Sequence, residues 1–345
     1  MKKYFKNLGY LFFILLLFNS IKLPAQTKIY DVIGIINIGG EGRWDYLAVD
    51  TSMHRLYVSH QTKVNVIDLN TNMVIGDIPD QHGVHGIAFA VEFGKGFISN
   101  GRDSSVTVFD LKSLRPLLSV KVTGGNPDAI VYDPFSKRIF TFNGSSDNAT
   151  AINPQTGIVE GTIELDGRPE CAVSDGAGRM YVNIEDKNTI EVFDPKNLKT
   201  ISEWSIEPVV GPSGLAMDRE NNRLFSVGRN RLMAVINAET GQLVTTIPIG
   251  GRVDGCAFDP CNHLIFTSNG EGTITVIKEE YPNQYEIHDN VATQTGARTI
   301  ALDPTTHRVY TSAIIEEPAH KGKMKYPENV VKTFGVIILG PVNEQ

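Results

Sequence analysis

Short runs of alternating or continuous apolar residues, five to seven long, recur along the chain and are separated by turns rich in Asp, Asn, Pro and Gly. One such pair of runs reads WDYLAVDTSMHRLYVSH (Trp44–His60). The same register returns in VHGIAFAVEFGKGFISNG (from Val84), PDAIVYDPFSKRIFTFNG (from Pro127) and PECAVSDGAGRMYVNIED (from Pro169). It continues in PSGLAMDRENNRLFSVGR (from Pro212), RVDGCAFDPCNHLIFTSNG (from Arg252) and ARTIALDPTTHRVYTSA (from Ala297). The residue closing the first run of each copy is Asp50, Ala90, Asp133, Asp175, Asp218, Asp259 or Asp303, at intervals of 40 to 44 residues. Most copies are followed by two further runs, such as VNVIDLNTNMVIGDI. Helical periodicity is nearly absent. A unit of four short strands repeated at this interval predicts an all-β, seven-bladed propeller. The last copy lacks a fourth strand, and KIYDVIGIINIGG (Lys28–Gly40) is left over at the other end. Residues near Asp31–Ile38 are therefore expected to complete the seventh blade and close the ring, which removes an exposed sheet edge.

The first 25 residues stand apart. A basic start, MKKYFKN, precedes an apolar run, Leu8–Phe18, and a stretch ending at Ala25. This pattern predicts a secretory signal peptide over 1–25 and a single propeller domain over 26–345, exported to the periplasm or beyond, with no membrane-spanning segment after the leader. The net charge is −7; the leader holds four lysines and no acid, so the remainder carries about −11. That balance argues against general affinity for nucleic acid or anionic lipid. Three cysteines do not make a disulfide framework.

The motif YDPFSKRIFTFNG, with FDPCNHLIFTSNG, LDPTTHRVYTSA and the shorter LYVSH and MYVNI, resembles the YVTN-repeat, YncE-like family of exported bacterial propellers. The resemblance spans about Ile29–Leu339. It implies the seven-bladed fold, and for function a binding or interaction role, DNA binding included; related propellers include lactonases and a lyase. It transfers no catalytic residues.

Features found once per blade belong to the scaffold. The turn Asp accepts backbone N–H groups, and the basic residue after it (Arg55, Lys95, Arg138, Arg179, Arg223, His263 or Arg308) is expected to pair with it. Cys171 and Cys256 fall at core positions, and a Cys256–Cys261 bond is left open. Function is sought where blades differ. Five residues before the anchors the chain reads Asp45, His85, Asp128, Glu170, Ser213, Asp254 and Arg298. Two residues earlier it reads Arg43, Gly83, Asn126, Arg168, Gly211, Arg252 and Gly296. The fold should gather these around one mouth of the central channel. There they either satisfy one another or bind a small polar or anionic ligand, with Arg43, Arg168 and Arg252 as forks. Trp44 is divided between core and pocket.

His60, His82 and His85, near Asp45, supply the ligand types for a divalent metal ion. The segment Ile314–Thr333 is expected as a long loop at the same mouth, and Lys278–Gly296 as an extension of the sixth blade. No nucleophile elbow, HExxH, phosphate loop or CxxCH occurs. Three functions stay open: a monomeric exported propeller binding a small ligand or a cell-envelope protein, a metal-dependent propeller enzyme of the lactonase or lyase kind, and single-stranded DNA binding.

Overall fold

A computed structural model describes residues 28–40, 42–281, 283–317 and 331–342. The expected leader and most of the 314–333 segment lie outside the described residues. Seven four-stranded antiparallel sheets form the ring. The inner strands are Trp44–Asp50, Val84–Ala90, Pro127–Asp133, Pro169–Ser174, Pro212–Asp218, Val253–Asp259 and the short Ala301–Asp303. Each packs on the next around the axis, and the last meets the first. The strand Tyr30–Asn37 pairs with Val331–Pro341, so both ends of the chain build the seventh blade, as expected.

The second and third strands of each blade are buried on both faces, which explains their nearly continuous apolar runs. Each of seven hydrophobic clusters lies between two neighbouring blades. Phe140, Phe142 and Phe193 join the third and fourth blades, and Leu47, Tyr310 and Phe334 join the first and seventh. The ring is thus held by interfaces that no blade completes alone.

Each turn Asp works as expected. Asp50 accepts the backbone N–H of Ser52 at 2.9 Å, and Asp133 that of Ser136 at 2.7 Å. The basic residue after the turn does something else. Arg55 donates to Leu111 O at 2.6 Å, Lys95 to Gln155 O at 2.5 Å, and Arg138 to Lys196 O at 2.8 Å. It therefore ties its own blade to the outer turn of the next by donating to that turn's carbonyls. The expected pairing with the turn Asp does not occur among the described residues.

Two extensions take ordered form. In the seventh blade the second strand runs on to Glu317 and its partner begins at Val331, in register with it. The expected loop is thereby shorter than 314–333. In the sixth blade Thr273–Tyr281 and Gln284–Ala292 form a lengthened hairpin. All three cysteines are free thiols.

Gly96 stands where sister blades carry Leu56, Ile139, Met180, Leu224 and Leu264. Its cross-strand partner is Phe109, and a Cβ at Gly96 would fall 2.1 Å from that ring. The aromatic ring fills the space that the missing side chain leaves. Gly96→Leu is predicted to destabilise the protein by about 1–3 kcal/mol through overpacking. Adding Phe109→Ile should recover most of the loss; denaturant unfolding of the single and double variants measures both.

Candidate functional site at the channel mouth

The inner strands are not regular. In six blades the register against the second strand shifts just after the first inner-strand residue, as between Trp44 and Leu47 or Pro127 and Ile130. Such bulges re-aim side chains. Here they fall at Asp45, His85, Asp128, Glu170, Ser213 and Asp254, the positions singled out by their variation.

Hydroxyl and amide groups hold the bulged backbone. Ser59 Oγ accepts Asp45 N–H at 2.9 Å, and Ser99 Oγ accepts Gly86 N–H at 2.8 Å. Other bonds cross between blades. Ser99 donates to Asp128 O at 2.5 Å, Asn183 to Ser213 O at 2.8 Å, and Ser213 to Val253 O at 3.3 Å. Ser268 donates to Arg298 O, and Thr299 to Asp45 O at 2.7 Å, across the closure of the ring.

Asp45, His85 and Asp128 come together from three successive blades. His85 Nδ1 lies 2.6 Å from Asp45 Oδ2 and 3.7 Å from Asp128 Oδ1. One ligand atom from each residue falls within 4.8 Å of the others. Asp254 lies 3.3 Å from Arg298 Nε. Glu170 hydrogen-bonds Glu185, a buried carboxylate that also holds Arg168 and Arg229. Tyr46 reaches from the first blade to the core of the third and fourth, near Asp128, Cys171 and Glu170. Its phenol lies in reach of the carboxyl cluster.

The electrostatics follow from enclosure. Burial raises Asp128 to about 7, with the Asp45 charge adding to it. Burial likewise raises Glu170 to about 9, reinforced by Asp128 and Glu185, and Asp254 to about 6 against the pull of Arg298. Burial pulls His85 down, but the bond to Asp45 and the charges of Asp128 and Asp45 outweigh it and raise it. Carboxyls of one sign have been crowded together beyond what the cations among them offset.

The other expected site residues take different places. Asn126 lies beside His85: a Cβ at Gly101 would meet Asn126 Oδ1 at 2.4 Å and His85 Nε2 at 2.7 Å. Arg43 and Arg252 are exposed at the rim. Trp44 packs on Phe334, ring centroids 5.5 Å apart, in the core between the first and seventh blades. His60 is buried, with its ring 4.2 Å from Phe334 and Nδ1 3.2 Å from Asn65 Oδ1. His82 is exposed. Neither joins the Asp45–His85–Asp128 group. Tyr46, a packing residue by its sequence, and Glu185 and Arg229, in the loops between second and third strands, are residues of the mouth beyond the variable positions. The signal for that pair was present: they replace a glycine found in three sister blades, Gly101, Gly144 and Gly270.

No protein-family model matches the chain, and no curated protein matches it. Among solved structures, hydrazine synthase of Kuenenia stuttgartiensis is similar, with a TM-score of 0.70 over 94% of this chain and 99% of that chain. At 13% identity the likeness shows the fold alone. The propeller is thus shown, while the YncE-like family rests on the repeat motif.

A raised carboxyl keeps its proton in the folded protein where the unfolded chain releases it. The stability so conferred is complete below an unfolded value of about 4 and is lost as pH rises towards the folded value, about 9 for Glu170. Glu170→Gln keeps the shape and the donor but never ionises. Its melting midpoint should exceed that of the parent by at least about 2–4 °C at pH 8 in chelator, and match it at about pH 4. Equal midpoints at both pH values would show that Glu170 is not held neutral.

Proposed function

We propose that the chain is an exported binding propeller whose channel mouth takes a divalent cation at Asp45, His85 and Asp128 and presents it to a small polar ligand. The observation that supports this most is the convergence of one imidazole and two carboxylates from three blades, backed by Glu170 and Asp254, in a recess with more acid than base. Nitrogen and carboxylate oxygen donors suit Zn2+ or Mn2+. A cation would favour the ionised form of Asp128, which burial and the Asp45 charge now disfavour. Because it competes with the Asp128 proton, affinity should climb between pH 6 and 8.

Isothermal titration of chelator-treated protein with Mn2+ or Zn2+ is expected to show one ion per chain, weakened about tenfold or more by Asp128→Asn. Titrations showing no uptake, or uptake indifferent to both Asp45→Asn and Asp128→Asn, would rule the site out.

The short Asp45–His85 bond favours a second reading, a metal-dependent hydrolase or lyase, because a carboxylate that orients an imidazole also serves acid–base chemistry. Metal-loaded protein should then open simple lactones and lose that activity in His85→Ala. Turnover that persists in the variant would reject this role for His85.

A further inference from the structure

Six blades share one backbone bond at the channel mouth. The residue following the second-strand core donates its N–H to the carbonyl two positions before the ring residue. Examples are Gly101 to Gly83 at 2.8 Å, Gly144 to Asn126 at 3.0 Å, Glu185 to Arg168 at 2.9 Å, Arg229 to Gly211 at 3.3 Å and Gly270 to Arg252 at 2.9 Å. With Gln61, which donates to Arg43 O at 2.9 Å in the first blade, the six positions are structurally equivalent. Three carry glycine, and the fourth and fifth blades instead carry Glu185 and Arg229, side by side around the ring.

Glu185 keeps only 3% of its side-chain surface exposed, yet two guanidiniums hold it, Arg168 on its own blade and Arg229 on the next. One guanidinium would neutralise one buried carboxylate. Glu170 adjoins the same carboxylate, and burial raises it. Arg168, Arg229 and Glu185 by themselves carry a formal surplus of one positive charge. Each arginine has five N–H donors and spends one nitrogen on Glu185. The remainder face outward, with 47% of Arg168 and 65% of Arg229 exposed. Among nearby acids, Asp186 accepts the Arg168 backbone N–H at 2.8 Å, and Asp254 faces Arg229 while lying 3.3 Å from Arg298.

We infer that Arg168 and Arg229, positioned by Glu185, form an oxyanion subsite at the rim that takes a carboxylate or phosphate group of the channel ligand. Two fixed guanidiniums match a planar or tetrahedral oxyanion through paired N–H donors. The buried carboxylate sets their spacing before the ligand arrives, so less side-chain entropy is lost on binding. Of the expected forks this assignment keeps Arg168, and it adds Arg229; among the described residues no ion pair anchors Arg43 or Arg252 in this way. It rests on the reading of the channel mouth as a ligand site, but it uses different residues from the cation group.

The test is calorimetric titration with inorganic phosphate, and separately with acetate, at constant ionic strength. At least one of the two should bind. Arg229→Ala should weaken it about tenfold or more, and Arg229→Lys, which keeps the charge without the fork, by less. Arg231→Ala is the control, because Arg231 is also exposed but pairs with Glu271 at 2.8 Å. Circular dichroism melts without anion establish that each variant folds. Absence of binding by both anions overturns the inference, as does binding unaffected by Arg229→Ala or weakened equally by Arg231→Ala. If Mn2+ still binds while the anions do not, the subsite fails and the cation site stands; the reverse result sinks the cation site and keeps the subsite.

Discussion

The arrangement depends most on the hydrogen bonds that pin the bulged inner strands to their neighbours. A bulge leaves backbone groups outside the sheet ladder, and each needs another partner. Ser99, Asn183, Ser213, Ser268 and Thr299 supply partners from the adjoining blade. The same bonds set where Asp45, His85, Asp128 and Asp254 point. Scaffold and site are therefore one construction: the side chains aimed into the channel are those whose backbone the next blade must hold.

Charge at the mouth is divided by depth and by blade. Asp128, Glu170 and Asp254 lie towards the axis, where enclosure penalises their ionised forms, with Asp45 and His85 beside Asp128. Arginines occupy the exposed rim, and two of them are committed to Glu185. An acidic recess beneath a basic rim favours a cation below and an anionic group above. The arrangement differs from a ring of alternating, mutually satisfied pairs, which would leave neither sign in surplus.

Much of the architecture was legible because it repeats. Asp133, Asp218, Asp259 and Asp303 recur at one interval, and each copy carries its own turn chemistry. The unassigned run at Tyr30–Asn37 matched a missing outer strand, so even closure could be anticipated. What misled was any inference about partners. Arg55 and Arg138 follow an Asp in sequence but reach carbonyls of the next blade some 56 to 58 residues away. His60 lies near Asp45 in the chain, yet its ring turns into the core against Phe334. Trp44 does the same.

The sequence by itself determined the number of blades, the strand pattern within each, the way the ring closes and the set of variable positions at one mouth. These follow from local hydrophobic period and turn residues, which act over a few residues and are copied in each unit. Only the tertiary structure decided which variable residues meet. Asp45, His85 and Asp128 are about 40 residues apart in sequence and converge because consecutive inner strands pack around a common axis. Burial among the blades raises the proton affinity of Asp128, and the two carboxylates brought beside His85 raise that of the imidazole. Likewise the union of Arg168 and Arg229 on Glu185 arises where two blades adjoin, a relation that no single repeat contains.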